Sequence, residues 1–103
     1  MSYIDLENVI MAHPDILEAA VIGIPDPKWD ERPLACLVVR EGVAAGPELI
    51  DSVKSFLAER VAKWWIPERW SFIGVVPKTS VGKFDKKVLR AQHADNALEV
   101  HRA

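Results

Sequence analysis

The chain has 103 residues, half of them hydrophobic, with 13 Lys and Arg against 15 Asp and Glu and a formal net charge of −2. That length holds one small domain with one modest core, and leaves no room for a second domain or for both a nucleotide pocket and a substrate tunnel. The composition excludes disorder, and the slight negative balance excludes a nucleic-acid binder that works through a bulk positive field.

Ser2 with Asp5 three residues later forms a capping-box pattern, and Leu6, Val9 and Ile10 recur at helical spacing. These predict a helix over residues 3–12, ended by His13-Pro14 because proline disfavours α geometry in the residue before it. Glu18 to Ile24 is an apolar run that reads as a buried strand. The segment Pro25 to Pro33 holds three prolines and five charged residues and reads as a stiffened loop. Leu34 to Val39 is a second strand. Gly46-Pro47 opens a helix whose apolar face is Leu49, Ile50, Val53, Phe56, Leu57 and Val61. Trp70 to Val76 reads as a third strand, Pro77 to Lys83 as a loop or tight hairpin, and Asp85 as the cap of a last helix with Leu89, Ala94, Ala97 and Leu98 inward. The expected fold is α+β: a small, mainly three-stranded sheet with helices packed on it, plus a hairpin carrying Gly82-Lys83.

Cys36 alone permits neither a disulfide framework nor a Cys-based zinc site, and mid-strand it reads as an inert core filler. His13, His93 and His101 make no metal-ligand spacing, so no metal site is expected. No apolar run reaches the ~18–20 residues a membrane span needs. The first residues carry no signal-peptide pattern, and a soluble, cytoplasmic chain is the expectation. Trp64, Trp65 and Trp70 are expected to fasten the segment around Pro67 to the sheet. Trp29, beside Lys28 and Arg32, is expected to face solvent and a partner.

The densest chemistry lies in Pro77-Lys78-Thr79-Ser80-Val81-Gly82-Lys83-Phe84-Asp85. Gly82 takes positive φ at little cost, and Lys83 after it is a point charge on a flexible stem, suited to oxyanions. A phosphate-cradling P-loop is excluded, since it needs glycine where Pro77 stands and Ser or Thr where Phe84 stands. On residue types alone, Lys78, Lys83, Lys86 and Lys87 also read as a merely solvated basic face.

The stretches Ile4-Asp5-Leu6-Glu7-Asn8, His13-Pro14, Glu18 to Asp26, Ile66-Pro67 and Pro77 to Phe84 occur in the order seen in the C-terminal domain of adenylate-forming enzymes, which the chain resembles over residues 2–90. The resemblance is nearer to acyl-CoA ligases, fatty-acid ones especially, than to peptide-synthetase adenylation domains. It implies a two-step reaction in which carboxylate and ATP give acyl-adenylate and pyrophosphate, and the CoA thiol then displaces AMP. Lys83 matches the family's adenylation lysine, with Thr79, Ser80 and Gly82 shaping the loop that delivers it and Asp85 anchoring the next helix. Lys28, Trp29 and Arg32 would lie near the CoA nucleotide. ATP and CoA would be substrates, with Mg2+ accompanying ATP, and this piece alone would bind none of them.

The partner implied is a large N-terminal domain that holds ATP and the acid. The family's hinge and glycine-rich loop precede the first helix, and Met1-Ser2-Tyr3 stands at that point. The chain therefore reads as an excised fragment or a stand-alone protein, cytoplasmic or membrane-peripheral through its parent enzyme. The competing readings are an interaction module docking through Trp29 and Lys83–Lys87, and a peptide-synthetase piece, for which the Asn96–Ala103 tail offers no carrier domain.

Overall fold

The computed structural model describes residues 2–102; the parts of the readings that fall on Met1 and Ala103 lie outside them. The elements run α1 (Tyr3–Met11), β1 (Ile16–Asp26), β2 (Asp30–Val39), α2 (Pro47–Ala58), a 3-10 turn (Lys63–Trp65), β3 (Arg69–Phe72), α3 (Lys86–Ala94) and β4 (His101–Arg102).

Helix α1 starts where the capping box predicts. Ser2 Oγ accepts from the Asp5 N–H and Asp5 Oδ2 accepts from the Ser2 N–H, so two otherwise unpaired donors are satisfied reciprocally. Pro47 occupies the first turn of α2. The Val88 N–H donates to Asp85 Oδ1 at the start of α3.

The sheet has the order β1-β2-β3-β4, with β1/β2 and β3/β4 antiparallel and β2/β3 parallel, α2 making the crossover between the parallel pair. Both faces of β1 and β2 are buried, which is why Ala19 to Ile22 reads as an unbroken apolar run. One face carries Ala19, Val21, Ala35, Leu37 and Trp70 and packs against Leu6 and Ile10 of α1 and Leu49, Ile50, Val53 and Leu57 of α2. The other carries Ala20, Ile22, Ile24, Leu34, Cys36 and Val38 beneath Leu89 of α3 and Val76 of the segment after β3. Burial pushes the Cys36 thiol up to about 12, with a smaller push from Glu7, so it stays protonated core filler.

Four expectations need correction. The sheet has four strands: His101–Arg102 pairs with β3, too short a segment to leave a sequence signal. Most of Pro25–Pro33 is strand, because β1 and β2 continue as a two-stranded arm to Asp26 and Asp30. Pro33 lies one residue before β3 begins to pair with β2, and Pro25 sits on the edge strand, so neither missing N–H breaks a central ladder. The third strand is shorter than Trp70 to Val76: it ends at Phe72, after which Gly74 and Val75 turn to solvent while Val76 returns to the core. Finally, α3 ends at Ala94, so Leu98 packs from the following segment and Ala94 and Ala97 are exposed rather than inward.

Candidate functional site

Residues 77–85 double back on themselves through backbone bonds alone. Thr79 N–H donates to Lys83 O at 2.7 Å, Gly82 N–H to Thr79 O at 2.9 Å and Asp85 N–H to Pro77 O at 2.7 Å, and Lys78 pairs antiparallel with Phe84. Gly82 sits at φ +84°, and no heavy atom crowds the space a Cβ would take. The glycine is therefore required by backbone geometry and not by room. Phe84 packs beneath, on the α3 side of the core, so the loop is rooted in apolar contact while Thr79, Ser80, Val81, Gly82 and Lys83 are exposed.

Of the four lysines, Lys78, Lys83 and Lys87 are exposed and Lys86 is half-buried, and they differ in their partners. Lys78 Nζ lies 3.0 Å from Glu18 Oε2 and 5.8 Å from the Phe84 ring centre. Lys86 Nζ lies 2.8 Å from Glu7 Oε2. Among the described residues, Lys83 and Lys87 have no carboxylate within ion-pair distance. Of the two, Lys83 alone stands on the turn.

In the sequence Glu7 stands out only as part of the Ile4-Asp5-Leu6-Glu7-Asn8 stretch. Its side chain is buried, and the same Oε2 that meets Lys86 accepts the Val21 N–H at 2.6 Å. Val21 is on β1, the edge strand, so a helix carboxylate closes one of that edge's open donors. An acidic residue on the inward stripe of α1, aligned with Leu6 and Ile10, is the signal that could have exposed it.

A second cluster gathers at the far end of the β1–β2 arm. Asp26 Oδ1 accepts the Lys28 and Trp29 N–H groups at 2.8 and 3.0 Å, and Oδ2 accepts both terminal nitrogens of Arg69 at 3.2 Å. These bonds fix the turn that presents Trp29, which is 61% exposed, with Lys28 Nζ 5.3 Å and Arg32 Cζ 5.9 Å from its ring centre. Trp29 and Arg32 share an open groove of about 670 Å³ with Lys63, Trp64 and Glu68, residues that sequence reasoning did not associate with them. Trp64 is 73% exposed and so does not fasten its segment to the sheet; Trp65 packs against the core, edge-on to Tyr3 of α1, and Trp70 lies in the core. Tyr3 Oη donates to Glu31 Oε2, and burial together with that carboxylate pushes the phenol up to about 12.

The structure therefore brings Lys28, Trp29 and Arg32 together at one place, and Thr79, Ser80, Gly82 and Lys83 at another. The second neighbourhood is rooted, through Phe84, on the α3 side of the core. His13, buried, accepts the Asp15 N–H on Nδ1, which leaves Nε2 to bond Ser52 Oγ at 3.0 Å; it is a structural tie. Among the described residues no three His, Cys, Asp or Glu side chains converge as a metal site, and no helix is long and apolar enough to cross a membrane.

The family model described as "AMP-binding enzyme C-terminal domain" matches residues 5–83. The long-chain-fatty-acid–CoA ligase of Thermus thermophilus is 46% identical over 93 residues, 90% of this chain and 17% of that protein. The 3-methylmercaptopropionyl-CoA ligase of Ruegeria pomeroyi is 42% identical over 95 residues, 92% of this chain and 17% of that one. Among solved structures, the acyl-CoA synthetase of Brucella canis superposes with a TM-score of 0.86 at 28% identity, over 94% of this chain and 18% of its own. The chain thus spans about a sixth of the length of the curated relatives it matches. On the match over residues 5–83 and these identities, the chain belongs to the AMP-binding enzyme C-terminal domain family, the C-terminal domain of adenylate-forming acyl-CoA synthetases.

Proposed function

We propose that the chain is the mobile lid of an AMP-forming acyl-CoA ligase, acting with an N-terminal domain that holds ATP and a carboxylic acid, a fatty acid in particular. The supporting observation is the isolation of Lys83: an exposed ammonium on a turn closed by backbone bonds, between two lysines each held by a carboxylate. In the first step the substrate carboxylate oxygen attacks the α-phosphorus of ATP, the bond to the β-phosphate oxygen breaks, and pyrophosphate leaves. Negative charge crowds the oxygens around that phosphorus, and a fixed cation there stabilises the transition state. The same ammonium holds carboxylate against phosphate in line for attack. The Pro77–Asp85 segment is read as the hairpin that delivers Lys83.

In the second step the CoA thiolate attacks the acyl carbon and AMP leaves. We assign Lys28, Trp29 and Arg32 to the CoA nucleotide: two cations for phosphates and an exposed indole for the base. On this reading the lid turns between the two steps, one orientation bringing Lys83 to the cleft and another bringing the Lys28, Trp29 and Arg32 cluster. Mg2+ would arrive with ATP rather than on this chain. Two relatives named for different acids match this chain almost equally well, which fits acid selection lying in the other domain and favours neither a stand-alone docking module nor a peptide-synthetase piece. We infer that the parent enzyme works in the cytoplasm, membrane-peripheral at most.

The test is Lys83→Ala in the full-length ligase. Adenylation, read as ATP–pyrophosphate exchange, falls on the order of 10²–10³-fold or more, while thioester formation from supplied acyl-adenylate is spared. Equal loss in both half-reactions overturns the assignment.

A further inference from the structure

The loop that carries Lys83 is anchored at both ends by ion pairs to elements it does not adjoin in sequence. Before the turn, Lys78 Nζ lies 3.0 and 3.3 Å from the two carboxylate oxygens of Glu18, on β1. After it, Lys86 Nζ lies 2.8 Å from Glu7 Oε2, on α1. The second pair spans two layers. Helix α1 covers one face of the sheet and α3 the other, and β1 is the edge strand between them. Glu7 reaches to that edge, takes the Val21 N–H with the same oxygen that meets Lys86, and so stitches α3 to α1 around β1. Its side chain is only 5% exposed, and that of Lys86 22%. A pair so enclosed is screened less than a surface one, and removing one partner strands a buried charge. Glu18, on the α3 side of β1 opposite Val38, serves the other foot.

We propose that Glu7 and Glu18 are positioning residues for the adenylation lysine. They clamp the two feet of its loop through Lys86 and Lys78, and by neutralising those two ammoniums they leave Lys83 as the unpaired cation of the turn. This rests on the reading of Lys83 given above. Misplacing a reacting group by about 1 Å costs on the order of 10²-fold in rate, so a loop free to shift on one foot should be visible in kinetics.

The experiment uses the full-length ligase and measures both half-reactions for Lys83→Ala, Glu7→Gln, Lys86→Met, the Glu7→Gln/Lys86→Met double variant, Lys86→Arg and Glu18→Gln. Glu7→Gln keeps an acceptor for the Val21 N–H while removing the ion pair. Expected are a fall in adenylation kcat of about 10–100-fold for Glu7→Gln and Lys86→Met, with KM for ATP little changed. The double variant should be no worse than the worse single, because the two act as one unit. Lys86→Arg should recover most of the rate, Glu18→Gln should lose less than Glu7→Gln, and thioester formation from supplied acyl-adenylate should hold within about twofold throughout. Should Glu7→Gln fail to fold, the Lys86 and Glu18 variants carry the test. Unchanged adenylation in Lys86→Met and Glu18→Gln overturns the clamp, as does equal loss in both half-reactions. Full adenylation in Lys83→Ala would overturn the underlying reading instead, so the two failures are distinguishable.

Discussion

Asp26 concentrates four hydrogen bonds on one carboxylate, from the Lys28 and Trp29 N–H groups and from Arg69. The backbone N–H of Lys28, then that of Trp29, and then the Arg69 guanidinium hold its carboxyl below the usual range. With the folded value below an unfolded one near 3.9, its contribution to stability is fully present above about pH 4 and is lost as pH falls through the folded value. Asp26→Asn should therefore be less stable than the parent at neutral pH, with the gap closing on acidification. Thermal unfolding from neutral pH down to about 2 checks this; a gap independent of pH would show that the charge on Asp26 is not what fixes the Trp29 turn. Asp5, held low first by the Ser2 N–H and then by the Ser2 hydroxyl, titrates in the same direction, so the variant keeps a residual acid transition.

The Pro77–Asp85 turn depends on one left-handed residue, and the cause sets the order in which replacements fail. At φ +84° with nothing near the Cβ position, a side chain placed on Gly82 meets no crowding, only backbone strain of about 1–2 kcal/mol. Asn, which tolerates this region, should cost least, Ala more, and β-branched Val most. Urea midpoints at constant m-value measure the series, and an order following side-chain volume would point to crowding instead. The same distinction between local and distant causes explains what the sequence discloses about the elements. α1, α2 and the start of α3 are legible because caps, Pro47 and 3.6-residue spacing are local signals. The β1–β2 arm is not, because Pro25 and Pro33 break strands only where a second neighbour needs their N–H, and which strand neighbours them is a tertiary fact. β4 is two residues long and exists only by pairing with Arg69 and Trp70. At the candidate site, Lys83 and Gly82 are legible because motif and turn coincide. Lys63 and Trp64 are not, since the groove they share with Trp29 joins segments more than thirty residues apart.

At the scale of the whole chain, two apolar clusters occupy the two faces of one sheet and share its backbone, with Trp70 completing one and Leu89 the other. Neither face can be uncovered without exposing the strands that serve the other, so the isolated chain should unfold in a single cooperative transition. Folded in this way, it should still not activate an acid. Lys83 projects from an exposed turn, and a unit charge 4 Å from an oxyanion is worth about 1 kcal/mol in water against about 4 where a protein surface lowers the effective dielectric to about 20. At about 1.4 kcal/mol per factor of ten, the first amounts to less than tenfold and the second approaches a thousandfold. The lysine gains most of its leverage only when another domain closes over it and supplies ATP and the acid. Purified chain should therefore show no ATP–pyrophosphate exchange, while adding it in trans to an N-terminal portion lacking this domain should restore measurable exchange that Lys83→Ala abolishes. Exchange catalysed by the chain alone would mean that its own surface binds and polarises the nucleotide, and the lid reading would fall.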